Sequence, residues 1–166
     1  MRRSIAATLA LACMGISVGV ASLSAPVSAD VPQAGQVVAK KSPAVKYSTQ
    51  AYNATNNRRD DRGLKDLRKT DCIQRFAVKQ AKAMASKSSM YHQDLGPIMK
   101  ACGLNMVGEN VAYGYTSGRS VVNDGWMHSS GHRANILNPG YRLMGLAARK
   151  GGNGRWYVAQ VFGRKA

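Results

Sequence analysis

Acidic residues are scarce in this chain of 166 residues. It holds eight aspartates and glutamates against 24 lysines and arginines, and Glu109 is its only glutamate. The formal net charge of +16 at pH 7 bears on partners and solubility rather than on fold. The sequence also lacks internal repeats and, after residue 29, any apolar run long enough to cross a bilayer. We therefore expect no transmembrane anchor.

The first 29 residues are typical of a secretory signal peptide. Arg2 and Arg3 form a positive start, residues 5–20 are apolar or small, and Val27-Ser28-Ala29 supplies a small-x-small cleavage pattern. A membrane anchor and lipid attachment at Cys13 are weaker alternatives, because the apolar run is short and Cys13 comes early in it. The expected location is secreted or extracellular, with association to the cell wall as one form of it.

Residues 30–46 are predicted to form a disordered basic linker. They contain Pro32 and Pro43, three lysines and no apolar periodicity. Residues 47–166 are then expected to fold as one domain.

Two cysteines, Cys72 and Cys102, remain after the predicted cleavage. An even count in an exported chain favours a disulfide. The loop that it closes has about 30 residues, which corresponds to roughly 3–4 kcal/mol of stabilisation. A metal-binding pair is the alternative, but the sequence has no CxxC spacing to support it.

Helices are predicted mainly in the first part of the domain. Ser48 is expected to cap a first helix that runs toward Arg59, and Asp71 a second helix, whose apolar residues recur at helical spacing over residues 73–85. Pro97 opens a short third helix. Ser117 caps a fourth, which is expected to end at residues 129–131.

Strands are predicted mainly in the last part. Residues 105–115 have β-like composition, and residues 144–148 and 156–162 flank the turn Gly151-Gly152-Asn153-Gly154. Such a hairpin requires antiparallel pairing. The order of elements predicts an α+β fold, with helices packed on an antiparallel sheet.

Glu109 and the histidines are the candidate functional residues. Glu109 lies between Gly108 and Asn110, where the glycine lets backbone approach closely. His128 and His132 are four residues apart, but position 129 is serine, so the HExxH zinc helix is absent. We expect His128 to be exposed. His132 should lie just past a helix end, where it could point into a cleft.

Two other kinds of site are disfavoured. Ser129 and Ser130 lie near His132, but the chain has no G-x-S-x-G elbow for a serine nucleophile. A basic stripe covers residues 58–69 but contains no aromatic residue for base stacking. We therefore expect no specific binding of nucleic acid.

Three sequence blocks resemble the CAP superfamily, which comprises cysteine-rich secretory proteins, antigen five and pathogenesis-related proteins. They are Gly108-Glu109-Asn110-Val111-Ala112, the run from Trp126 to Pro139 that contains "GHRANILNP", and the ending from Tyr157 to Gly163. The likeness is strongest to the bacterial SCP-like extracellular branch and covers about residues 47–163. It implies a three-layer α-β-α sandwich with a central antiparallel sheet.

The resemblance also implies a cleft with two histidines and two acidic residues. His92 and His132 match the histidines and Glu109 matches the first acid, whereas Ser129 replaces the second. Two imidazoles beside a carboxylate could hold a divalent metal such as zinc, with His92 and His132 as ligands. Because catalytic zinc sites usually have three protein ligands, we expect weak, reversible binding.

Three functional hypotheses follow. The favoured one is a binding module of the cell envelope that holds a small lipid, a wall polymer or a partner protein. The second is a metal-assisted hydrolase of peptide or ester bonds that uses His92, Glu109 and His132. The third is an interaction protein whose positive charge binds anionic polymers or lipid head groups. The fold does not determine the activity. We favour a binding protein over an enzyme, because Ser129 replaces the second acid that the resemblance implies.

Overall fold

The first helix begins earlier than the sequence predicted. The computed structural model describes residues 41–166, so the predicted signal peptide and most of the predicted linker lie outside the described residues. Helix α1 spans Pro43–Asp60, and the Ser42 hydroxyl caps it by accepting a hydrogen bond from the Val45 amide at 3.4 Å. Proline suits this first turn, where no amide donor is needed. Residues 43–46 are therefore helical rather than part of a disordered linker, and Ser48 is not the cap.

Helices α2 and α3 agree with the predicted spacing. Helix α2 spans Asp71–Lys87 and α3 spans Gly96–Cys102. Thr70 rather than Asp71 takes the cap position of α2, and Asp71 is its first helical residue, where a negative charge interacts favourably with the helix dipole. The predicted disulfide is confirmed: it joins Cys72 to Cys102, with their Cα atoms 5.8 Å apart.

The sheet has four strands in the order β1-β3-β4-β2. Their bounds are β1 Arg68–Lys69, β2 Leu104–Tyr113, β3 Leu143–Lys150 and β4 Trp156–Lys165. β3 and β4 form the predicted hairpin, and β2 pairs with β4, both antiparallel. The sheet differs from the prediction only in β1, a short strand parallel to β3.

The chain between β2 and β3 is an irregular helical segment followed by a second short helix. Ser117 caps the segment as predicted, and its parts are α4 Gly118–Ser120, a π-helical turn Val121–Gly125 and a 3-10 turn Trp126–His128. Ser129 is extended, and α5 Ser130–Ile136 follows. The prediction that helix ends at residues 129–131 was therefore incomplete, because His132 lies inside α5 rather than beyond a helix end.

The helices cover both faces of the sheet, which gives the predicted three-layer α-β-α sandwich. One core lies between the sheet and α1, the irregular segment and α5, with Trp126 and Phe162 at its centre. The other lies between the sheet and α2 and α3, with Ile73, Met84 and Val161 buried. In residues 41–166 no helix combines the length and apolar character that a membrane span requires.

Candidate functional site

The carboxylate of Glu109 is buried and fully engaged as a hydrogen-bond acceptor. Its side chain is 1% exposed. Oε1 accepts from His92 Nδ1 at 2.8 Å and from the Gln93 amide at 3.3 Å, and Oε2 accepts from the side-chain amide of Gln93. Burial of a carboxylate is costly unless such donors surround it. The chain's only glutamate is therefore held in one orientation, beside an imidazole.

His92 and Gln93 reach Glu109 from the connection between α2 and α3, residues 88–95. Helix α2 is capped at its C-terminus by Ser88, whose left-handed conformation (φ 48°) ends the helix. The side chain of Gln80, on α2, donates a hydrogen bond to the Tyr91 carbonyl and holds the connection. The His92 side chain remains 60% exposed, so it faces solvent while bonded to a buried partner.

His132 is placed by side-chain amides from the sheet and from α5. Asn110, on β2, donates from Nδ2 to the His132 carbonyl at 3.2 Å and to Gln160 Oε1 at 3.1 Å. Asn135, on α5, donates to Asn110 Oδ1 at 3.0 Å and to the Glu109 carbonyl at 3.2 Å. These bonds fix α5 against the strand that carries Glu109.

Burial lowers the pKa of His132 below its ordinary value, and the electrostatic effect of the neighbouring His92 lowers it further. The two imidazoles therefore lie close enough to influence each other electrostatically. The ring of His132 also lies beside Trp126, with ring centroids 6.4 Å apart. A histidine in this setting is neutral near pH 7, as a metal ligand or general base must be.

A groove of about 550 Å³ opens next to His132. Its walls are mainly apolar and aromatic, and Ser129 and His132 supply side-chain polar groups. The lining residues are Met90, Val111, Ala112, Tyr113, Gly114, Tyr115, Gly125, Trp126, Ser129 and His132. Met90 and Tyr113 are 44% and 45% exposed, so apolar surface continues to the groove's mouth.

The structure brings some of the predicted site residues together and leaves others apart. His92 and Glu109 are in direct contact, His92 helps to lower the pKa of His132, and His128 is exposed as expected. Ser129, at the position of the missing acid, lines the groove beside His132. Within residues 41–166, no three His, Cys, Asp or Glu side chains are grouped closely enough to hold a metal ion.

Sequence reasoning missed the second partner of the carboxylate and the apolar groove. Gln93 gives Glu109 two of its three hydrogen bonds, yet no motif distinguishes it. Its position directly after His92 was the one available signal. The groove's aromatic residues come from β2, the chain after it and the 3-10 turn, which only the folded chain brings together.

Comparisons with known proteins agree on one family. The family model described as cysteine-rich secretory protein family, CAP, matches residues 52–162. The YkwD protein of Bacillus subtilis (strain 168) is 32% identical over 114 residues, which are 64% of this chain and 44% of YkwD.

Two solved structures have the same fold. A cysteine-rich secretory protein of Staphylococcus aureus has a TM-score of 0.64 at 22% identity, over 76% of this chain and 41% of that one. An extracellular protein of Bacillus anthracis that contains an SCP domain has a TM-score of 0.64 at 24% identity, over 76% of this chain and 45% of that one. The match spans less than half the length of YkwD and of each of these two proteins.

Proposed function

The chain belongs to the cysteine-rich secretory protein family, CAP, and is of the bacterial SCP type, and from this membership we propose that it is an extracellular binding module of the cell envelope. The observation that carries the proposal is the buried Glu109 carboxylate bonded to the exposed imidazole of His92. A fold alone does not require an ionisable group in its interior, and a carboxylate that orients an imidazole is a recurring arrangement at metal and catalytic sites. An extracellular relative of the same fold supports the location.

The Glu109–His92 bond determines which nitrogen of His92 is available. Because a carboxylate accepts hydrogen bonds, Nδ1 carries the proton of the 2.8 Å bond. Nε2 is then the nitrogen left to bind a ligand. Glu109 thus acts as a positioning residue, since it holds the tautomer and the orientation of the ring.

The groove beside His132 provides the main binding surface. Its aromatic and aliphatic walls fit a ligand with an apolar body, and His132 and Ser129 can bond one polar group of that ligand. Its volume of about 550 Å³ lies in the range of small-molecule sites. A small lipid meets these requirements better than a flexible polar polymer does.

An NMR titration with monomeric lyso-phosphatidylcholine tests this proposal, because that lipid carries no net charge. We expect saturable shifts of the Trp126 indole and of His132, and weaker binding by His132→Ala. The exposed His128 supplies the control, and His128→Ala should bind as the wild type does. Shifts scattered over the basic surface, with no response at Trp126, would contradict a groove ligand.

Weak zinc binding is a second property that we propose for the same cleft. His92 Nε2 and the ring of His132 would hold the ion, and a carboxylate behind a ligating imidazole is a common supporting arrangement. Bound zinc would acidify a water ligand. Calorimetry should detect zinc binding to the wild type and to His128→Ala, but not to the His92→Ala, His132→Ala double variant. Equal binding by all three proteins would refute this assignment.

The burial of Glu109 argues against the hydrolase hypothesis. With 1% of its side chain exposed, this carboxylate cannot take a proton directly from an attacking water. A hydrolytic step would have to pass the proton to His92, with Glu109 stabilising the charged ring. Loss of peptide or ester hydrolysis in a folded Glu109→Gln variant would support this alternative.

The purely charge-driven alternative has a different signature. Among residues 41–166, Arg58 is the one lysine or arginine that forms a salt bridge with an acid, and its partner is Asp61. Apart from the buried Arg59, the other cations on the surface of these residues form no such pair and can attract anionic polymers. Such binding would disappear at high salt and would not respond to Glu109→Gln.

A further inference from the structure

A second groove follows the outer edge of β3, away from the histidines. It has a volume of about 390 Å³ and shares no lining residue with the groove beside His132. It exists because β1 pairs only with Leu143 and Met144, which leaves the rest of β3 without a strand on that side. Its lining residues are Ala44, Val45, Ser48, Thr49, Tyr52, Lys69, Gln74, Val78, Leu146, Ala147 and Arg149.

The backbone at this edge is already hydrogen-bonded by side chains. Gln74, on α2, donates to the Leu146 carbonyl at 2.9 Å and accepts from its amide at 3.1 Å. Ser48 accepts from the Ala148 amide at 3.1 Å, and Arg149 donates to the Ala148 carbonyl at 2.8 Å. Open strand edges recruit peptide strands through such groups. Here those groups are occupied, so a peptide strand would gain few hydrogen bonds.

The remaining surface of the groove is mainly apolar, and a basic residue lies at each end of it. Val45 and Val78 lie on its walls, and Val45 is 48% exposed. Lys69 pairs with Met144, and Arg149 follows five residues along β3, so the backbone positions of the two basic residues are about 17 Å apart along the strand. The lining contains no acidic residue. The surface is therefore complementary to an apolar chain that carries a negative group.

We propose that this groove binds a single-chain anionic amphiphile, whose alkyl chain lies along β3 between α1 and α2 and whose head group bonds Lys69 or Arg149. The volume is sufficient for a small-molecule site. The site is separate from the proposed function and does not depend on His92, Glu109 or His132.

Dodecyl phosphate below its micellar concentration is the probe, with calorimetry of the purified protein as the measurement. We expect saturable binding in the wild type that persists in His132→Ala, and little binding of inorganic phosphate or of dodecyltrimethylammonium. Lys69→Glu with Arg149→Glu should weaken binding by about tenfold or more, because whichever of the two cations holds the head group is replaced by a repelling charge. The two single variants show which end holds the head group.

A matched pair controls for net charge. Lys79 and Lys100 are exposed and line neither groove, so Lys79→Glu with Lys100→Glu should leave binding within about twofold of the wild type. Ala44→Trp places bulk on the wall and should weaken the amphiphile while leaving the charges intact. His132→Ala should have no effect, which separates this site from the other groove.

Several results would overturn the proposal. They are no saturable binding to the wild type, equal binding of inorganic phosphate, equal weakening by the control pair, or loss of binding in His132→Ala. A far-UV circular dichroism spectrum and an unfolding midpoint for each variant establish that any loss arises in a folded protein.

Discussion

Replacing His92 with alanine should cost little folding stability, whereas replacing Gln93 should cost more, although both bond the same carboxylate. His92 is 60% exposed, so water can replace its bond to Glu109 when the ring is removed. The Gln93 amide still donates to Oε1 in that variant. Oε2, in contrast, receives its hydrogen bond from the Gln93 side chain, and Gln93→Ala leaves this buried oxygen without that donor.

The expected magnitudes follow from these environments. The solvent-exposed His92 bond is worth about 0.5–1 kcal/mol, since exposure screens the charge. Loss of a bond to a buried charged oxygen costs about 1.5–3 kcal/mol. His128→Ala, which removes an exposed histidine away from the carboxylate, should change stability by less than about 0.5 kcal/mol. The three variants therefore have a defined order of stability.

Urea unfolding monitored by tryptophan fluorescence measures these differences. A double-mutant cycle between His92→Ala and Glu109→Gln isolates the pair and should give a coupling of about 0.5–1 kcal/mol. If His92→Ala destabilises the protein as much as Gln93→Ala does, the ring has a structural role. Glu109 would then not be held mainly by Gln93, and the exposed imidazole would not be available chiefly for a ligand.

Three further predictions concern other parts of the molecule. Arg59→Met should lower the free energy of unfolding in urea by about 3 kcal/mol, because the fully buried Arg59 donates to the carbonyls of Lys65, Ile136 and Asn138; a loss below about 1 kcal/mol would contradict this. Serine substitution at both cysteines removes the disulfide that closes the 30-residue loop and should lower the free energy of unfolding by roughly 3–4 kcal/mol in the same assay. An unchanged midpoint would exclude that contribution. Because the pKa of His132 is lowered from 6.5 in the folded state, the unfolded chain binds more protons just below pH 6.5; stability should fall as pH drops below 6.5, and His132→Gln should flatten that slope in a series of thermal melts.

The helices and strands that depend on periodicity could be predicted from the sequence. In α2 the apolar residues recur at helical spacing, and in β4 Val158 and Phe162 alternate with Tyr157 and Val161 between the two cores. Those patterns are local and reflect which face is buried. The start of α1 was missed because the lysines and prolines before Tyr47 resemble a linker. The cap at Ser42 and the proline beside it were the signals of helix.

Helix α5 could not be predicted because distant residues support it. Its sequence contains Gly131 after two serines, which is typical of a break. In the folded chain Arg59 bonds the Ile136 carbonyl across 77 residues of sequence, and Asn110 bonds the His132 carbonyl across 22. A helix of seven residues is unstable alone, so tertiary hydrogen bonds decide whether it forms.

The same limit applies to the site. Motif order identified His92, Glu109 and His132, since those residues match a family pattern. It could not identify Gln93, whose role arises from a contact across 16 residues between a loop and a strand. The residues that line the groove beside His132 could not be predicted for a similar reason, because an aromatic residue in a strand is equally compatible with the core and with a binding surface.

The disulfide controls one imidazole more than the other, and this follows from where each lies. Cys72 is near the start of α2 and Cys102 ends α3, so the closed loop contains the connection that carries His92. His132 lies outside that loop, and its backbone carbonyl accepts a hydrogen bond from the side-chain amide of Asn110, on β2. In the doubly substituted serine variant, hydrogen exchange of the Gln93 amide should accelerate more than exchange within α5. Equal acceleration in both places would mean that the bridge stabilises the whole fold and has no particular effect on His92.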